Sequence, residues 1–168
     1  TAQISVDINP SIELSVNRFD RVLSVKSYNE DGVKLAETLG VRFSDCTSAL
    51  EQIMKSEKIA KLLSQNEVLT FTVVGSEGNQ RSRILTVLED ETAGQRNTYC
   101  YAADAKEVAE AHEAGFSYGK YRAFLALKAL VPDISLKEVQ NMTMREIRDL
   151  IALYSDEETE ITPLGKRN

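Results

Sequence analysis

Histidine is nearly absent from this 168-residue sequence, cysteine occurs twice, and no apolar run is long. With His112 as the one histidine, set among alanines and glutamates, no Ser-His-Asp set and no metal cluster can be assembled. Neither a metal nor a cofactor is therefore expected, and His112 reads as a lone surface side chain. Cys46 and Cys100 are spaced for neither a zinc site nor a CxxC redox pair. Two buried free thiols and one disulfide both stay open. Gly75-Ser-Glu-Gly78 lacks the lysine and the spacing of a P-loop and reads as a plain loop. No stretch reaches the roughly 20 apolar residues that span a bilayer, and no signal peptide is visible. The net charge is −6, with basic residues interleaved among acids and no arginine-rich patch. That balance suits solubility and argues against a nucleic-acid partner.

What is present is more telling. The chain is long enough to bury a core. From Ile4 to Val16 every even position is apolar: Ile4, Val6, Ile8, Pro10, Ile12, Leu14, Val16. From Gln3 to Asn17 every odd position is polar. This is a strand period of two, and it runs through a proline, which donates no ladder hydrogen bond. One reading is a bend between two short strands, 3–8 and 11–17, since Asn-Pro favours turns.

The other reading is chemical. After asparagine, attack by the next backbone nitrogen is blocked at Asn9, because Pro10 carries no N–H. The Asn9 side-chain nitrogen can instead attack its own carbonyl, close a succinimide and expel Pro10 as an amine. A fold accelerates such a step by holding a near-attack geometry and by placing donors on the oxyanion. Strand parity puts Asp7, Asn9 and Ser11 on one face, about 6.5 Å apart in steps of two residues. Asp7 is then a candidate to orient the amide or accept its proton, and Ser11 to donate to the oxyanion or the leaving nitrogen. Glu13 follows on the same parity.

The run from Ile4 to Val22, with Asp7-Ile-Asn-Pro-Ser-Ile-Glu-Leu14 at its centre and Asn29-Glu-Asp-Gly32 following, resembles the extracytoplasmic juxtamembrane domain of RsgI-type anti-sigma-I factors of Firmicutes. Ala111 to Tyr121, Ser135 to Val139 and Met144 to Ile147 are also similar to it, so that the resemblance covers roughly residues 2–154. It implies a membrane-bound anti-sigma factor, with this domain at the cell membrane on its extracytoplasmic side. The domain would cut itself between Asn9 and Pro10, and residues 1–9 would stay in place as a non-covalent strand. Later intramembrane proteolysis by a protease would then free a sigma factor held by a cytoplasmic segment, regulating transcription. The chain begins at Thr1 without Met and reads as an excised piece, with the membrane helix expected just before it. The alternative from another class is an uncleaved structural or ligand-binding module in which Asn9-Pro10 is a bend. A conventional enzyme with an exogenous substrate is disfavoured by the missing constellation.

The rest of the chain predicts an α+β fold, βββααβαβ through residue 102, with a small mixed sheet packed by helices and a helical part after it. Strands are expected at Arg21–Tyr28, Glu67–Val74 and Asn97–Ala102. Helices are expected at Val33–Leu39, after Ser44 or Asp45 with Glu57–Leu63 continuing it, and at Gln80–Thr92. Further helices are expected at Ala105–Ala114, from Ser117 to Leu130, after Ser135, and at Met144–Tyr154 with a Thr143/Glu146 capping box. The implied organisation is a core of 1–102, a helical subdomain of 103–155 and a linker of 156–168. Gly115 to Lys120 reads as an interhelix joint, with Tyr118 and Lys120 as alternative partner-binding groups.

Overall fold

In the computed structural model the described residues are 1–75 and 79–161, with side chains through 156. The strands are β1 (Ala2–Asp7), β2 (Ser11–Val16), β3 (Val22–Ser27), β4 (Leu69–Gly75) and β5 (Thr98–Ala103). They form one mixed sheet in the order β3-β2-β1-β4-β5. β1 is antiparallel to both β2 and β4, β2 is antiparallel to β3, and β4 and β5 are parallel. A parallel pair needs a crossover, and α4 (Asn79–Thr92) supplies it. The Gly75-Ser-Glu-Gly78 loop has residues 76–78 outside the described residues.

The alternation survives Pro10 because Ile8-Asn9-Pro10 is a hairpin turn between β1 and β2. The register runs from Ala2 opposite Val16 to Asp7 opposite Ser11, so every pair joins two even or two odd positions. Even side chains of both strands therefore share one face, and odd side chains the other.

The even face carries the main core. Ile4, Val6, Ile12, Leu14, Phe71 and Val73 pack against Leu35 of α1 (Glu30–Thr38), Leu50 and Ile53 of α2 (Cys46–Lys55), Ile59 of α3 (Glu57–Ser64), and Ile84 and Leu88 of α4. Three helices, not two, precede β4: Ser56 ends α2 and caps α3, its hydroxyl accepting from the Ile59 N–H. Asn29 caps α1 and Asp45 caps α2.

The odd face is polar but not wet. Ser5, Asp7, Ser11, Glu13, Thr70 and Thr72 are all buried. α5 (Tyr118–Leu130) lies against β1 and β4, and a second apolar cluster joins its Tyr121, Phe124 and Leu127 to Met144 and Ile147 of α7 (Met144–Ile161). α6 (Leu136–Gln140) adds Val139. The Thr143/Glu146 capping box forms reciprocally at 3.1 Å on both arms. The backbone of α7 continues to Ile161, past the expected end at Tyr154 and into the expected linker; residues 162–168 lie outside the described residues.

Residues 105–115 are successive turns instead of the expected helix. Val108, Ala111 and Ala114 each donate to the backbone carbonyl three residues earlier. The apolar side chains of Ala105, Val108, Ala111 and Ala114 recur every three residues, and a period of three matches i→i+3 turns better than 3.6 does. Cys46 and Cys100 are both free thiols.

Candidate functional site at the hairpin tip

Asn9 and Pro10 sit at the apex of the β1–β2 hairpin, and hydrogen bonds from three directions hold the tip. Within the turn, the Ile8 N–H donates to the Pro10 carbonyl at 3.0 Å. From one side, the Met144 N–H at the start of α7 donates to the Ile8 carbonyl at 3.1 Å. From the other side comes Asn29. Its Nδ2 donates to the carbonyl oxygen of Asn9 at 2.7 Å, while its Oδ1 accepts from the Ser11 N–H at 3.1 Å. The same Oδ1 caps α1 by accepting from the Gly32 N–H at 2.7 Å. The Tyr28 N–H then donates to the Ser11 carbonyl at 2.9 Å.

Asn9 itself is exposed, and its Nδ2 donates to Asp31 Oδ2 at 3.0 Å. Asn29 and Asp31 therefore touch the two groups of Asn9 that a succinimide would join: the carbonyl and the side-chain amide. Gly32 makes the approach possible, because a Cβ there would collide with the Ser11 backbone oxygen and stand 2.9 Å from Asn29 Oδ1.

Asp7 and Ser11 come together but do not reach the Asn9 amide. They are opposite partners in the register, and the Ser11 hydroxyl donates to Asp7 Oδ1. Asp7 also accepts from Ser5 at 2.9 Å and from Ser117 at 2.5 Å. Burial pushes the Asp7 carboxyl up to about 6, against the three hydroxyl donors that hold it down; the Glu13 charge raises it further.

Glu13, next on the same parity, is buried and accepts from three directions. These are the Tyr118 N–H at 2.6 Å, the Tyr28 hydroxyl at 2.9 Å and His112 Nε2 at 2.8 Å. His112 is exposed, as expected of a surface side chain, but it is not alone: it pairs with Glu13 and lies against the Tyr28 and Tyr118 rings with centroids at 5.4 and 4.2 Å. Burial, then the Glu13 charge, raises both tyrosine hydroxyls.

The Gly115–Lys120 joint is explained by the same face. Ser117 caps α5 by accepting from the Lys120 N–H and binds Asp7, Tyr118 N–H binds Glu13, and Gly119 N–H donates to Ser5 Oγ at 2.9 Å. The positive end of α5 is seated on two buried carboxylates, an arrangement worth roughly 0.3–2 kcal/mol for each. Lys120 reaches the Gln140 carbonyl at 2.7 Å.

Parity reasoning missed Asn29 and Asp31, which lie about 20 residues beyond the tip. The available signal was Asn29-Glu-Asp-Gly32, a helix start with acids in its first turn. Among the described residues no cluster of histidine, cysteine or carboxylate could hold a metal ion, and no helix is long and apolar enough to cross a membrane.

Residues 1–126 match the family described as the anti-sigma factor RsgI-like central domain. Among curated proteins, the chain is similar to the anti-sigma-I factor RsgI5 of Acetivibrio thermocellus, at 27% identity over 93% of this chain and 36% of that protein. It is 25% identical to RsgI9 of the same organism, over 96% of this chain and 24% of the relative. The anti-sigma-I factor RsgI of Bacillus anthracis is 26% identical over 71% of this chain and 28% of its own length. The chain thus spans about a third or less of the curated relatives it matches.

Proposed function

The chain belongs to the RsgI-like family of anti-sigma factor central domains, and from that premise we propose that it is a self-cleaving signalling domain of a membrane-bound anti-sigma factor. The reaction is one turnover on its own Asn9–Pro10 bond. The halves stay associated outside the cell, and their separation licenses intramembrane proteolysis that releases a sigma factor.

One observation carries this reading. The Asn9–Pro10 bond closes the hairpin that begins with β1, and β1 is the central strand of the sheet. A cut there leaves residues 1–9 laddered to β2 and β4 on both sides. Ile4, Val6 and Ile8 remain buried, each contributing about 1.5–3 kcal/mol. The joint then resists thermal loss yet can be parted by a pull, which a peptide bond cannot. Within this proposal Asn9 supplies the nucleophile and Pro10 the leaving amine. Asp7 and Ser11 are assigned to holding the hairpin register beside them.

Intact-mass spectrometry of the purified chain under denaturing conditions tests it. Masses for 1–9 and 10–168 that co-purify under native conditions are expected. A succinimide on the small piece, lighter by one water, supports side-chain attack. A single uncut mass from folded protein favours an uncleaved binding module with Asn9–Pro10 as a bend.

A further inference from the structure

We infer that Asn29 and Asp31 are catalytic residues of the Asn9–Pro10 cut, Asn29 as the oxyanion donor and Asp31 as the base that aligns the attacking amide. This rests on the self-cleavage proposed above. The inference stands on one juxtaposition: Asn29 Nδ2 is 2.7 Å from the Asn9 carbonyl oxygen, and Asp31 Oδ2 is 3.0 Å from Asn9 Nδ2.

The step balances with these two groups. Asn9 Nδ2 attacks the Asn9 carbonyl carbon, and the oxygen takes up negative charge against the Asn29 N–H. The C–N bond to Pro10 then breaks. One proton leaves Nδ2 for the Asp31 carboxylate, which returns it to solvent, and one proton reaches the Pro10 nitrogen from solvent on the exposed Asn9 side of the bond, Pro10 itself being buried. The amide NH2 becomes an imide NH and the proline nitrogen a secondary amine, so no outside reactant is needed. A pre-aimed donor acts where charge develops and requires little reorganisation. Asn29 is well placed for this because its Oδ1 is fixed by the Gly32 and Ser11 N–H groups, which leaves Nδ2 a single direction. Asp31 stands in the first turn of the helix that Asn29 caps, so one helix end positions both residues.

A purely structural Asn29 would cap α1 and clasp the turn without touching the rate. Asn29→Asp separates the roles: aspartate caps as well as asparagine but has no N–H to offer the Asn9 oxygen. The full 168-residue chain is made by pulsed cell-free translation, and the cut is followed by intact mass. The expected result for N29D is a rate lowered about 10²–10³-fold, the usual loss for one oxyanion donor, with the fold kept and the thermal midpoint lowered only by the lost clasp on the Asn9 carbonyl. Asp31→Asn is expected to slow the cut about 10²-fold. Where N29D fails to fold, Asn29→Ser, which also caps, replaces it with the same expected loss. Folded N29D or N29S cutting at the wild-type rate overturns the assignment of Asn29, and D31N cutting at that rate overturns that of Asp31. In either case self-cleavage itself stands. Folded wild type that never cuts overturns the underlying reading instead, and the assignment falls with it.

Discussion

Gly119 lies against Asp7 with no room for a side chain: a Cβ there would collide with the Asp7 carboxylate and stand 2.9 Å from Thr72 Oγ1 and 3.1 Å from Ser5 Oγ. Glycine here is a matter of space, since it lets the first turn of α5 close on the polar face of the sheet. Gly119→Ala sets two effects against each other. Helix propensity favours alanine by up to about 1 kcal/mol, and overpacking against buried β1 costs about 1–3 kcal/mol. Net destabilisation is expected in urea unfolding; a raised midpoint would show that α5 does not press on Asp7.

Asn9→Ala removes the nucleophile while leaving the turn backbone and the Asn29 clasp to the residue 9 carbonyl. The side chain is exposed, so stability is expected to change by less than about 0.5 kcal/mol relative to the uncut wild-type chain. Intact mass of this variant should show one uncut species. Cutting at the wild-type rate would sink the succinimide route.

In the cut protein, residues 1–9 are held by burial and by two ladders. Ile4 is fully buried in the main core, and Ile→Ala in a core costs about 2–5 kcal/mol. Ile4→Ala should therefore raise the dissociation constant of the 1–9 peptide by about 30-fold or more. Gel filtration followed by mass analysis reads this as peptide lost from the larger piece. Equal retention of wild-type and Ile4→Ala peptides would mean that burial of β1 is not the clasp.

Asp7 titrates at about 6 in the folded chain, above its ordinary 3.8. Its folded pKa is raised, so the native state holds the proton more tightly than the unfolded chain does. The Asp7 contribution to stability is then greatest below pH 4 and declines as pH rises from 4 to 6, by about 3 kcal/mol in all. Subtracting the pH–stability curve of Asp7→Asn from that of wild type isolates this slope. A flat difference curve would show that folding leaves the Asp7 carboxyl unshifted, and one that rises with pH would show Asp7 buried as a stabilised anion.

Much of the architecture is legible locally. The period of two in residues 4–16, the caps at Asp45 and Ser117, and the Thr143/Glu146 box each depend on neighbours within a few positions, where backbone geometry alone sets the pattern. The parity that runs through Pro10 was visible too. Its cause is a hairpin whose pairs keep parity, where the pattern alone read as two short strands meeting at a bend. The 105–115 turns were missed because an alanine-rich run satisfies helix propensity and a three-residue repeat alike.

The tip itself was half legible. Asn9 and Pro10 are identified by their chemistry, since only proline blocks the competing attack. Asn29 and Asp31 are not, because the distance from Asn29 to the Asn9 carbonyl depends on how α1 packs across the sheet. His112 is a similar case: 99 residues separate it from Glu13, and no local pattern reports that contact.

By itself, then, the sequence determined which side chains share a face of β1 and β2, where most helices begin, and which bond is chemically singular. Only the tertiary structure decided that β1 is central, that the polar face is buried under α5, and that Asn29 and Asp31 meet Asn9. The physical reason is range. Periodicity and capping are enforced by bonds along a few residues, whereas strand order and site assembly follow from which distant surfaces exclude water together.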